Sequence, residues 1–166
     1  MPIALKPVEI GSQFESRTSV LIVPCRVCPR MCLAVEQGRP LIDVTAGHRN
    51  DFFTKHLDDV KKSLEKRGVR ATIFSPPTPF PMMCLWPDRL RGRLAKEAKK
   101  HDAFAVIGCE SAWATVRDAV DLADDAVVQL MKNEGIANFI VSFKLPCVIG
   151  LAASTRGTVH WPVDKT

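Results

Sequence analysis

Two short runs of consecutive apolar residues stand out along the chain, Ser19-Val-Leu-Ile-Val-Pro24 and Ala103-Phe-Ala-Val-Ile107. Neither alternates between polar and apolar positions. Continuous runs of this length, rich in β-branched side chains, belong to strands buried on both faces of a parallel sheet. Val69 to Ser75 is another strand candidate. Between them the period changes: in Phe52 to Arg67 the apolar positions Phe53, Leu57, Val60 and Leu64 recur three and four residues apart. That spacing makes one apolar stripe on a helix, with Asp51 placed to cap it and Gly68 to stop it. A second helix is expected from Asp88, as cap, to about Lys100, and a third from Ser111, as cap, through Ala123.

Strand, helix, strand, helix in this order builds βαβ units, whose right-handed crossovers lay helices against a parallel sheet. The expected fold is therefore α/β: an open, mostly parallel, doubly wound sheet with helices on both faces. Ala126 to Lys132 and Ala137 to Phe143 flank Asn133-Glu-Gly135, a turn-forming triplet, so an antiparallel C-terminal hairpin is expected to finish it. Met1 to Arg17 reads as an extended arm or edge strand, and Leu41 to Val44 as a brief strand followed by a loop carrying Gly47, His48 and Arg49. Pro76 to Trp86-Pro87 holds too many prolines for a helix or strand and is expected as a long loop. Its apolar residues Phe80, Met82, Met83, Leu85 and Trp86 suit a lid over a site, or side chains folded back onto the core. With 166 residues, and no linker or repeat, residues 1–166 are expected to form a single domain.

Composition changes this picture little: 46% hydrophobic and 25% charged residues are those of an ordinary globular chain. No apolar run approaches the roughly 20 residues that span a bilayer, and Ser19 to Pro24 is too short for the core of a signal peptide. No membrane association is expected, and the cytoplasm is the expected location. The net charge of +5 is spread over several segments, with Lys61, Lys62, Lys66 and Lys99 on solvated helix faces and no recognition motif, so nucleic acid is not expected as a partner.

The six cysteines alter the picture more, because thiols in a reducing compartment persist as buried residues, metal ligands or redox centres rather than as disulfides. Three of them fall within eight residues, in Cys25-Arg-Val-Cys28-Pro-Arg-Met-Cys32. A two-residue spacing lets neighbouring thiolates converge on one centre. The string resembles the cysteine runs of iron-sulfur proteins, over about eight residues. Its spacing is the reverse of the radical S-adenosylmethionine pattern, so that chemistry is not implied. Cys25, Cys28 and Cys32 are the expected cofactor ligands, for an iron-sulfur cluster or zinc, and Arg26, Arg30 and Arg39 could offset thiolate charge. A structural zinc site, or cysteines that merely pack, would produce the same string.

Ligands of open α/β sheets collect outside the carboxyl ends of the strands. Cys25 follows the first core strand, Cys84 lies in the loop leaving the second, and Cys109 ends the third. Cys109 or Cys84 is therefore the expected fourth metal ligand, with Cys147 as a third option and His48 as the one histidine worth testing. Cys109 also precedes a helix, where the dipole favours a thiolate, and is a candidate catalytic nucleophile; Glu110 beside it could act as acid or base, or complement the dipole.

Two other functions compete with metal-dependent electron transfer, or accessory service in a redox system alongside a protein partner. One is thiol-disulfide exchange by Cys25 and Cys28, as in proteins that look like thioredoxins, with Pro81 or Pro146 facing the pair. Against it, Cys32 has no role in a dithiol and Pro24 disfavours a helix starting at Cys25. The other is a binding domain without catalysis. No glycine-rich phosphate loop is present, so no nucleotide cofactor is expected.

Overall fold

A computed structural model describes residues 3–43, 52–76, 82–120, 123–145, 148–153 and 159–160. Four strands form the central sheet: β2 (Ser19–Pro24), β4 (Arg70–Ile73), β5 (Ala103–Ile107) and β6 (Val127–Gln129). All three pairings are parallel and the order is β4-β2-β5-β6. Four helices are described: α1 (Cys28–Glu36), α2 (Phe52–Lys66), α3 (Asp88–Ala98) and α4 (Glu110–Ala119).

Side-chain alternation sorts the helices onto two faces. Val20 and Ile22 of β2, with Ala103, Ala105 and Ile107 of β5, pack with Leu33 of α1 and Phe53, Leu57 and Leu64 of α2. Leu21, Val23, Phe104 and Val106 point the other way, onto Leu90 and Leu94 of α3 and Ala112 and Val116 of α4. Both middle strands are buried along their whole length, as their unbroken apolar runs require. The doubly wound sheet with helices on both faces is thus the one expected from the sequence.

Leaving β2, the chain winds through α1 and α2 to β4 on one side. It then returns through α3 to β5 on the other. The direction of winding reverses between β2 and β5, and the carboxyl ends of those two strands flank the crevice where open α/β sheets bind ligands.

Two smaller antiparallel sheets flank the centre. In one, β1 (Ile3–Pro7) and β10 (Val159–His160) pair with β7 (Met131–Ile136); in the other, β3 (Ile42–Asp43) and β8 (Phe139–Lys144) pair with β9 (Val148–Ala153). Leu130 joins two systems: its amide donates to Val106 of β5, and its carbonyl accepts from Val8, just after β1. The antiparallel C-terminal hairpin exists as β8 and β9. The expected turn does not, because Asn133-Glu-Gly135 lies inside β7 opposite β1. Gly135 has φ of 146°, so the triplet's glycine serves an irregular strand rather than a reversal.

Other boundaries move for local reasons. Pro87, not Asp88, is the N-cap of α3, and Cys109, not Ser111, that of α4; Asp88 and Glu110 lie in the first turns, where a carboxylate suits the dipole. The last helix ends at Ala119, short of Ala123. Asp51 lies outside the described residues. Among the described residues no helix is long and apolar enough to cross a membrane.

A polar clasp ties down the amino edge of the sheet. The Asp102 carboxylate accepts hydrogen bonds from the Thr18 amide (2.9 Å), the Thr18 hydroxyl (2.7 Å) and the Ser19 amide (2.9 Å). Partial burial pushes this carboxyl up, but the donors from Thr18 and Ser19 outweigh it and hold the group below the ordinary aspartate value. Charge-assisted bonds of this kind, discounted for solvent exposure, are worth about 1–2 kcal/mol together. Asp102→Asn is expected to lose that amount in urea unfolding at pH 7. The folded pKa is depressed, so the contribution is full above the unfolded value near about 4 and fades as pH falls through the folded one. The difference from wild type should therefore narrow at pH 3.

Candidate metal centre

The cysteine run is where β2 hands over to α1. Cys25 continues the ladder, its amide donating to the Ile107 carbonyl of β5 at 2.9 Å, and Pro24 ends the strand. The helix begins only at Cys28, with Pro29 in its first turn, where a missing N–H costs nothing. Cys28 and Cys32 are four residues apart on α1 and so lie on one side of it.

Each of these sulfurs meets backbone amides. The amides of Val27 and Met83 are directed at Cys25, and that of Ile3 at Cys28. Cys32 makes two bonds to the β1 edge: its sulfur accepts from the Leu5 amide (3.4 Å) and its thiol donates to the Ile3 carbonyl (3.3 Å). Cys32 thereby stands in for a neighbouring strand on the outer side of β1, and α1 is stitched to the first strand by sulfur. Sequence reasoning missed this role for Ile3 and Leu5, since main-chain donors leave no mark on residue identity.

Cys109 and Cys84 come from two further segments. Cys109, buried at the end of β5, is the residue from which α4 starts; its carbonyl accepts from Ala112 and Trp113. Gly108 before it is packed so tightly that a Cβ there would stand 3.3 Å from the Cβ of Cys25. Its carbonyl is fixed by the Gln129 side chain of β6 at 3.0 Å. Cys84 is exposed, in the 3₁₀ turn Met83–Leu85 beyond β4. The Thr115 hydroxyl of α4 reaches the Met83 carbonyl at 3.4 Å, which draws this turn toward the crevice. Cys25, Cys28 and Cys109 lie within electrostatic reach of one another, and Cys84 within reach of Cys28.

Burial pushes the thiols of Cys25 and Cys28 up, and that of Cys32 to about 11, despite the amide donors. At neutral pH all three are therefore protonated in the absence of a cation. As these neutral thiols stand, no three His, Cys, Asp or Glu side chains among the described residues converge closely enough to enclose one ion.

Around the cysteines, Arg30 lies over the Phe52 ring, 6.0 Å from its centroid, while Arg26 and Arg39 are exposed. Glu110 is exposed in the first turn of α4. In the proline-rich segment Met83 and Trp86 fold back onto the core, Trp86 against Phe74 with ring centroids 5.7 Å apart, whereas Met82 and Leu85 face outward. His48, Phe80, Pro81, Pro146 and Cys147 lie outside the described residues. No family model matches this chain, and neither the curated proteins nor the solved structures contain a match to it.

Proposed function

We propose that the protein holds a metal ion or an iron-sulfur cluster through Cys25, Cys28 and Cys32, with Cys109 or Cys84 completing the set. In this reading it serves electron transfer, or acts as an accessory component of a redox system with a protein partner. The observation that carries the proposal is that Cys25, Cys84 and Cys109 follow the parallel strands β2, β4 and β5 near the reversal point of the sheet, with Cys28 within electrostatic reach of all three. Chance burial would scatter thiols through the core rather than gather them at the edge where such sheets bind ligands.

Two features suit the chemistry. Thiol sulfur is a soft donor fitted to zinc and to iron-sulfur clusters, and a bound cation supplies what turns buried thiols into thiolates. Amides directed at sulfur stabilise that thiolate form and tune the potential of a thiolate-held cluster. Binding would require the side chains to turn toward a common centre from their thiol positions. Thiol-disulfide exchange fits less well. That chemistry uses a thiol of lowered pKa at a helix start, whereas Cys25 precedes α1 and burial raises both members of the pair.

The test is anaerobic purification followed by metal and labile-sulfide analysis and a visible spectrum. Iron with sulfide and a coloured protein, or zinc near one per chain, is the expected result. A colourless, metal-free protein with all six thiols titratable would overturn the proposal.

A further inference from the structure

The hairpin of β8 and β9 carries, along β8 and just beyond it, large apolar side chains that the described residues leave uncovered. Phe143 is 76% exposed, Ile140 59%, Val141 50%, and Leu145 just beyond the strand 96%. Antiparallel register sets Phe139 opposite Ala153, Val141 opposite Leu151, and Phe143 opposite Ile149, which in turn pairs with Ile42 of β3. Directly paired residues share a face, so one face of this sheet is apolar across all three strands. The strand order β3-β9-β8 also leaves β8 at an edge, with no strand on its outer side among the described residues. A six-residue edge with no proline has only one of the usual protections against pairing with another strand, the single charge of Lys144 at its end.

We infer that β8 is a self-association edge, pairing antiparallel with β8 of a second copy about a two-fold axis at Val141. A two-fold perpendicular to a sheet sets Val141 against its own copy, Phe143 against Phe139, and Ile140 against Ser142. The apolar face then continues across the junction, with two aromatic cross-strand pairs flanking a valine pair. Like charges do not meet: Lys144 falls six residues from its copy, ~20 Å at strand spacing and well beyond the Debye length. Nucleic acid is disfavoured as occupant, because the strand offers one cation at its end and none along it. The exposed side chains amount to roughly 400 Å², about half of what each partner of a standard interface buries, with strand backbone supplying more. An interface of that size gives a dimer that forms and dissociates with concentration rather than a permanent one.

Sedimentation velocity across a concentration series, run in reductant to prevent adventitious disulfides, tests this. Wild type should move from monomer to dimer, while Val141→Lys, which opposes two ammonium groups at the axis, should weaken association at least tenfold. Because Val141 is half-exposed, the variant should keep the circular dichroism and melting temperature of the wild-type monomer. In air, Val141→Cys should yield a linked 141-to-141 peptide by mass spectrometry, and Ile140→Cys no 140-to-140 link. A wild type that stays monomeric throughout, leaving the edge to a different chain, overturns the inference. So does a dimer indifferent to Val141→Lys, which would place the contact elsewhere.

Discussion

Gly108→Ala is expected to destabilise the protein by about 2–3 kcal/mol, the upper part of the range for forcing a methyl group into a packed interior. The reason is local. A Cβ at residue 108 would lie 2.5 Å from the Cβ of Ala112, in the first turn of α4, and 3.3 Å from that of Cys25. Neither neighbour is the end of a flexible side chain, so relief requires α4 to move away from the sheet. That movement would also part Cys25 from Cys109. Denaturant unfolding of a double-mutant cycle checks the mechanism: Ala112→Gly alone should cost about 1 kcal/mol or more through helix propensity and lost contact, yet the pair should fall short of additivity by at least ~1 kcal/mol. Strict additivity would show that the crowding is not what Gly108 avoids.

Phe104→Ala should be more severe. Phe104 is fully buried on β5, between β2 and β6, and packs in the cluster formed by α3 and α4. Truncating a phenylalanine at such a position costs about 3–5 kcal/mol through lost burial and the cavity left behind. Against a typical total of about 5–15 kcal/mol, the melting temperature should fall by many degrees. The matched comparison is Phe143→Ala, in dilute protein where chains do not associate. Its ring is mostly in water, and a change beyond about 0.5 kcal/mol would contradict the exposed placement of β8.

Those two phenylalanines mark how far the sequence can be read. Ala103-Phe-Ala-Val-Ile107 and Phe139-Ile-Val-Ser-Phe143 look alike as local patterns, and both form strands. Their burial differs because parallel strands with helices on both sides are covered wherever they fall, whereas a hairpin is covered only if something else arrives. Local pattern reports which backbone a segment adopts; coverage is a property of the assembled chain. For the same reason Ser19–Pro24, Ala103–Ile107 and Phe52–Lys66 were legible almost to the residue. The Asn133-Glu-Gly135 triplet was not, because its turn propensity yields to pairing with a strand more than a hundred positions away. At the candidate centre, strand ends could be read, and with them the shared edge of Cys25, Cys84 and Cys109. The helix starting at Cys28 went unread although Pro29 in its first turn is a start signal, and the amides over its sulfurs could not be read, since main-chain donors carry no residue identity.

The pairing of β1 with β7 bears on the order of events at the ribosome. Ile3 finds its partner at Ile136, so the first strand emerges long before the strand it joins exists. The segment that becomes α1, ending at Glu36, is also made early. At about 5–20 residues per second, some hundred residues separating them take about 5–20 s to add. Throughout that interval β1 has no strand beside it, and the hydrogen bonds that close Cys28 and Cys32 against Ile3 and Leu5 lack their support. Cys28 and Cys32 are thus made early and sealed late, once β7 has joined β1.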